Sequence, residues 1–340
     1  MNQNPRLSLW FRRVAGASAL FALCVVVFGA FVRLSDAGLG CPDWPGCYGH
    51  FGVPESQEHI QRAEQSFPER PVDTTKAWIE MAHRYIASLL GVMIIGLVVM
   101  AWRGRREGLP LRVSVALLAL VIFQGMLGMW TVTLLLKPAV VTAHLIGGMA
   151  TLSMLFWLWL TQRPAPQHPA PPGLRGLTVA ALLVVAVQII LGGWTSTNYA
   201  ALACTEFPTC HDGEVFPPMD LKEGFVIWRG IGQNYEYGVL EHPARTAIHT
   251  VHRLWAIAVT LVVGLLAALL LWRGQGGQRL LGLMVGGALV LQLLIGVSIV
   301  LLHLPLGLAT MHNAGAALLL LSIVATLHTL WKAPRGRELA

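Results

Sequence analysis

Charge is scarce in this chain. Asp, Glu, Lys and Arg make up 12% of its 340 residues, against about a quarter in soluble domains, while 55% of residues are hydrophobic and the mean hydropathy is +0.62. That balance excludes a water-soluble globular domain. Other absences narrow the chemistry. There is no Cys-x-x-Cys pair of the usual redox spacing and no local Cys/His cluster of zinc-site spacing. The apolar runs are not interrupted in the way that marks the broken helices of transporters.

What the sequence does contain is long apolar runs, at 14–32, 79–101, 113–135, 140–161, 177–196, 246–272, 280–302 and 308–331. Each is long enough to cross about 30 Å of hydrocarbon. Because lipid offers no hydrogen bonds to the backbone, the spans must be helical. The expected fold is an all-α polytopic membrane protein with eight transmembrane helices. The first run follows Arg12 and Arg13 as a signal peptide would, but it exceeds a typical h-region and has a counterpart later in the chain. It is expected to stay in the mature protein.

Basic residues set the orientation. Arg6, Arg12, Arg13, Arg103, Arg105, Arg106, Arg112, Arg163, Arg175, Arg273, Arg279, Lys332, Arg335 and Arg337 fall on one side, against Glu107 and Glu338. That side is expected to be cytoplasmic and to carry both termini. Two long loops, 33–77 and 197–245, lie opposite. The net charge of +7 then reflects topology and gives no reason to invoke nucleic acid, although a basic surface can bind anionic lipid.

Four of the five cysteines lie in those loops, as CPDWPGC (Cys41, Cys47) and CTEFPTC (Cys204, Cys210). A short loop in an oxidising compartment suits a local disulfide within each pair, with a redox thiol pair or a metal site as the alternatives. Cys24, within the first span, is read as a packing residue.

The chain is written twice. GAFVRLSDAGLGCPDWPGC matches GGWTSTNYAALACTEFPTC in length, EMAHRYIA matches HTVHRLWA, QGMLGMWTV matches QLLIGVSIV, and TAHLIGGMA matches TMHNAGAAL. Each half holds an even number of spans, so the halves enter the membrane in the same direction as a parallel repeat. The expected units are residues 1–162 and 177–340, two tandem pseudo-twofold-related four-helix bundles joined by a Pro-rich spacer at 163–176.

The repeat gives the histidines meaning. His83 and His144 in the first unit correspond to His252 and His312 in the second, each within about two turns of its helix end on the long-loop side. Two imidazoles at one level suit axial ligation of a haem iron from both faces. A single membrane histidine more often makes an interhelical hydrogen bond, but four at repeat-related positions favour ligation. Gly147, Gly148 and Gly315 follow on the ligand's face, where they would let a porphyrin approach the backbone or simply allow close packing. Glu80 shares a helix face with His83, and His249 takes its place in the second unit. The acid is therefore expected to point into the same cavity. Arg84 and Arg253 suit haem propionates, or they snorkel to the interface.

ExxHR at span two, HxxHR at span six, histidines opening spans four and eight, and a Cx5C pair after spans one and five together form an ordered set that resembles the haem A synthase family. The resemblance covers residues 12–332. It implies an inner-membrane oxidoreductase that converts the C8 methyl of haem O to the formyl of haem A for cytochrome oxidase. It also implies a haem b cofactor ligated by His252 and His312, with His249 and Arg253 beside it. The substrate haem would lie between His83 and His144, with Arg84 as a further contact and Glu80 as the essential carboxylate. The cysteine pairs would be structural or maturation-related disulfides. Partners implied are haem O synthase, cytochrome oxidase assembly factors, a membrane electron donor and further copies of the chain. A dihaem b-type electron-transfer protein and a quinone-linked thiol oxidoreductase are the rival classes. The first leaves Glu80 without a purpose, and the second leaves the histidines without one.

Overall fold

A computed structural model of the chain describes residues 5–164, 166 and 168–333. Arg335, Arg337 and Glu338 of the expected basic side, and residues 165 and 167 of the expected spacer, lie outside the described residues. Among the described residues eight helices are long and apolar enough to cross a membrane: α1 (Pro5–Leu34), α3 (Thr74–Arg103), α4 (Leu111–Thr133), α5 (Pro138–Thr161), α6 (Leu174–Thr197), α8 (His242–Arg273), α9 (Gly277–Leu301) and α10 (Leu306–Lys332). Two short helices, α2 (Gln57–Ser66) and α7 (Leu221–Gly224), sit in the long loops.

Several spans begin earlier than hydropathy suggests, because the residues that start a helix are polar. Asp73 caps α3, its side chain accepting from Lys76 N, so that the helix starts at Thr74, five residues before the expected start. Pro138 opens α5 and Pro243 lies in the first turn of α8, positions where a missing N–H costs nothing. The consequence is depth. His83 and His252 become the tenth and eleventh residues of their helices rather than residues of the first two turns, while His144 and His312 are each the seventh.

Packing closes the helices into two rings. α1, α3, α4 and α5 contact one another in a cycle, and α6, α8, α9 and α10 do the same. The rings meet where α10 touches α1 and α5, and where α5 touches α6. α10 is accordingly the most enclosed span, with 67% of its apolar window buried against 17–33% for the others. At this seam Trp157 of α5 meets the ring of His328 of α10 edge-on, with centroids 5.0 Å apart. Arg175, within the expected spacer, lies in α6 and donates from Nε to Leu330 O at 2.9 Å, so the spacer is shorter than its composition suggests.

The backbone turns recur between the halves. The α4–α5 connection carries Leu135 and Leu136 at positive φ, and the α9–α10 connection carries His303 and Leu304 likewise. Asp36 after α1 and Tyr199 after α6 share that left-handed geometry. The coverage of these turns differs. Tyr235 N donates to Leu135 O at 3.0 Å, and fully buried Lys137 donates to Arg229 O at 2.5 Å and stacks on Trp228. The second long loop thus lies over the first ring, whereas His303 in the equivalent turn is exposed.

Both cysteine pairs are closed, Cys41 to Cys47 and Cys204 to Cys210. Cys24 does not pack inside. It is exposed, because the inward face of α1 at that level is formed by Ala22 and Val25. Without reduction, denatured protein should therefore react with one maleimide, at Cys24, and after reduction with five. Two or more reactive thiols before reduction would contradict the closed pairs.

Candidate functional site

In the first ring α3 and α5 are not neighbours but stand across the cycle from each other, and these are the helices that carry His83 and His144. α8 and α10, with His252 and His312, stand across the second ring in the same way. All four imidazoles are partly exposed. The Nδ1 atoms of His83, His144 and His312 are buried without a hydrogen-bond partner.

Glycines make room for these rings. A Cβ at Gly29 of α1 would lie 2.9 Å from His83 Cε1, and one at Gly192 of α6 would lie 3.2 Å from His252 Cε1. On the other side, a Cβ at Gly128 of α4 would lie 3.6 Å from His144 Cε1, and one at Gly296 of α9 would lie 3.1 Å from His312 Cε1. Each histidine thus faces a neighbouring helix at a repeat-related notch. Gly147 and Gly315, which by spacing could serve a flat ligand or close packing, serve packing. A Cβ at either would collide with Gln124 Oε1 (2.5 Å) or Gln292 Oε1 (2.2 Å), so they accommodate a glutamine amide.

Those glutamines escaped the sequence reading although both lie in the matched QGMLGMWTV and QLLIGVSIV segments. Gln124 Nε2 donates to the main-chain oxygen of His144 at 2.9 Å, and Gln292 Nε2 donates to that of His312 at 3.0 Å. Gln188 of α6 does the same for His252 at 3.2 Å, and its nitrogen lies 3.3 Å from both ring nitrogens. Matched spacing was the available signal; the partner depends on packing.

Glu80 shares the His83 side of α3, but its carboxylate is occupied. Oε2 accepts from Cys41 N at 2.8 Å, and Oε1 accepts from Arg84 Nη2 at 2.5 Å. Arg84 also donates to the oxygens of Pro45 and Gly46, inside the disulfide loop. In the second ring His249 Nδ1 accepts from Cys204 N at 3.3 Å, and Arg253 Nε lies 3.2 Å from His249 Nε2. Arg253 reaches Thr209 O at 2.9 Å and Glu206 O at 2.8 Å. Glu80 and His249 therefore hold equivalent positions in two clamps that fasten a disulfide loop to a histidine-bearing helix. The arginines are bound to loop carbonyls, neither snorkelling nor free. Beside the first clamp, burial pushes the Tyr48 phenol up to about 12, against the opposing charge of Arg70. It stays a neutral donor, to Pro71 O at 3.2 Å.

The donor set fits a flat macrocycle ligated from both faces: two imidazoles across a ring, buried ring nitrogens left over, and glycines at the rings. It does not fit structural zinc, since no group of three or more metal-binding side chains occurs among the described residues.

Comparison with known proteins agrees with this arrangement. Residues 12–324 match the family model COX15-CtaA, described as cytochrome oxidase assembly protein. The chain belongs to this family. A heme A synthase of Shewanella oneidensis is 42% identical over 95% of this chain and 96% of its own length. Those of Granulibacter bethesdensis and Rhizorhabdus wittichii are each 27% identical, over 95% and 92% of this chain and 89% and 92% of their own lengths. Within this two-ring framework the clamps make a specific demand. His249→Leu leaves the buried Cys204 N–H without an acceptor and should cost about 1–3 kcal/mol, read as a lower detergent Tm and faster proteolysis of loop 204–214. His249→Glu, which reproduces the first clamp, should lose less than half of that. Equal damage from both variants would show that the clamps are not interchangeable.

Proposed function

We propose that this chain is a haem A synthase: an integral membrane enzyme that takes haem O as substrate and oxidises its C8 methyl group to the formyl group of haem A, for cytochrome oxidase assembly. The single observation that carries the proposal is the pair of imidazoles set across each helix ring, three of the four (His83, His144 and His312) with a buried Nδ1 that no protein group satisfies. The heme A synthases among the chain's relatives support haem as the group that those imidazoles would hold.

In this reading residues 1–162 form the substrate unit and residues 177–340 the cofactor unit. His252 and His312 would hold haem b, which would supply one-electron redox chemistry when bound. His83 and His144 bracket the substrate haem. The basic side is cytoplasmic and the disulfide loops face outward, in keeping with the arginine distribution and with disulfide chemistry.

The conversion is a net four-electron oxidation of the methyl carbon, methyl to alcohol and alcohol to gem-diol followed by loss of water, and its oxidant is supplied from outside the chain. Glu80 lies one turn from His83 on the loop side, where its carboxylate can take up and release protons at the rim of the substrate site. Its bond to Arg84 holds it in place. The clamp also excludes bulk water from that rim, since Glu80 is 5% exposed.

A second reading is supported by the equivalence of Glu80 and His249. If both serve only as clamps, the chain is a dihaem electron-transfer protein. Glu80→Gln separates the two. It keeps size and hydrogen-bonding capacity while removing charge. The variant should insert, retain haem b and make no haem A, accumulating haem O or a partly oxidised product. Near-normal haem A production defeats the catalytic role, and joint loss of haem b and activity makes Glu80 a structural clamp. Separately, His252→Ala and His312→Ala should each abolish the low-spin haem b absorption band while the protein stays in the membrane. A normal spectrum in both removes the ligand assignment.

A further inference from the structure

Three of the four histidines have a glutamine on a neighbouring helix that donates to the histidine's own main-chain oxygen: Gln124 to His144, Gln188 to His252 and Gln292 to His312. Each of these amides leaves its Oε1 buried and without a donor. An unmet buried acceptor lowers stability, so packing alone is a poor reason for three such residues. Their shared effect is to tie two helices together at the height of an imidazole: α4 to α5, α6 to α8, and α9 to α10.

His83 is the exception. Gln188 stands four residues before Gly192, the glycine at the His252 ring; four residues before Gly29, the glycine at the His83 ring, stands Val25. Val25 is buried and has no group to donate. The aromatic neighbour of His83 is Phe28, 6.1 Å away between ring centroids. Among the described residues no side-chain hydrogen bond joins α1 to α3 at this level. Both histidines of the second ring are thus braced, and only one of the first.

We infer that Gln188 and Gln292 are positioning residues that make the second ring a permanent haem holder, and that Val25 leaves His83 unbraced so that the first ring can exchange its haem. This rests on the proposed function, in which one ring keeps a cofactor while the other takes in a substrate and lets go of a product. Groups one step removed from a metal ligand fix its orientation and alter metal affinity by about 10–100-fold. A hydrogen bond to the ligand's backbone acts on the same quantity, the freedom of the imidazole to leave.

The test uses purified, haem-loaded protein and excess apomyoglobin as the haem acceptor. Gln188→Met keeps the side-chain volume but cannot donate. It should start with the same low-spin haem b spectrum as the parent, then release haem b about tenfold faster or more. Val25→Gln should have the opposite effect in the first ring: more haem O or haem A should copurify, and its transfer to apomyoglobin should slow. Parental release from Gln188→Met, or no additional retained haem in Val25→Gln, overturns the inference. His252→Ala serves as the reference. If it keeps haem b, the underlying ligand assignment has failed; if it loses haem b while Gln188→Met behaves as the parent, only the bracing inference has failed.

Discussion

A polar group placed in hydrocarbon must find its partner inside the protein, and both helix rings are organised around that constraint. Four imidazoles are the largest such demand in the spans. They sit on helices that stand across a closed ring from each other, so each pair belongs to one ring. The glycine notches at Gly29, Gly192 and Gly296 follow from the same demand, since a side chain at these positions would crowd the imidazoles. The glutamines satisfy it differently, by giving their donors to main-chain oxygens and anchoring the helices at the histidine level.

The arginine clamps extend this order to the long-loop side. Through Arg84 and Arg253 each disulfide loop is fastened to the helix that carries His83 or His252, one residue before the clamp's guanidinium. Loop, helix and imidazole form one mechanical unit in each half. The second loop also reaches the first ring, through Tyr235, Lys137 and the ion pair of Arg70 with Glu236. The first ring is therefore closed on its long-loop side by both halves of the chain.

Much of this was legible in the sequence. Apolar length gave the eight spans, and the written-twice pattern gave the histidine pairs, the cysteine pairs and the matched glutamine segments. Side-chain direction was not legible. Glu80 and His83 share a face by spacing, yet the carboxylate turns to Cys41 N because a distant loop supplies a buried donor there. Gly147 and Gly315 could serve a flat ligand or close packing; they serve packing, and spacing along one helix cannot reveal a glutamine arriving from the next. Helix starts were placed too late for a similar reason: capping residues such as Asp73 lie outside the apolar run. Cys24 was misplaced because an apolar helix in lipid can turn a thiol outward without penalty.

The central claim is that two similar rings do different work, one holding a resident haem and the other processing a passing one. The most direct measurement is extraction of pigment from the purified protein, with haems B, O and A separated and each quantified against protein. The expected result is haem B in an amount close to that of the chain, accompanied by a smaller and preparation-dependent amount of haem O or haem A. Two haem B for each chain with neither of the others, or protein without haem B, would contradict it.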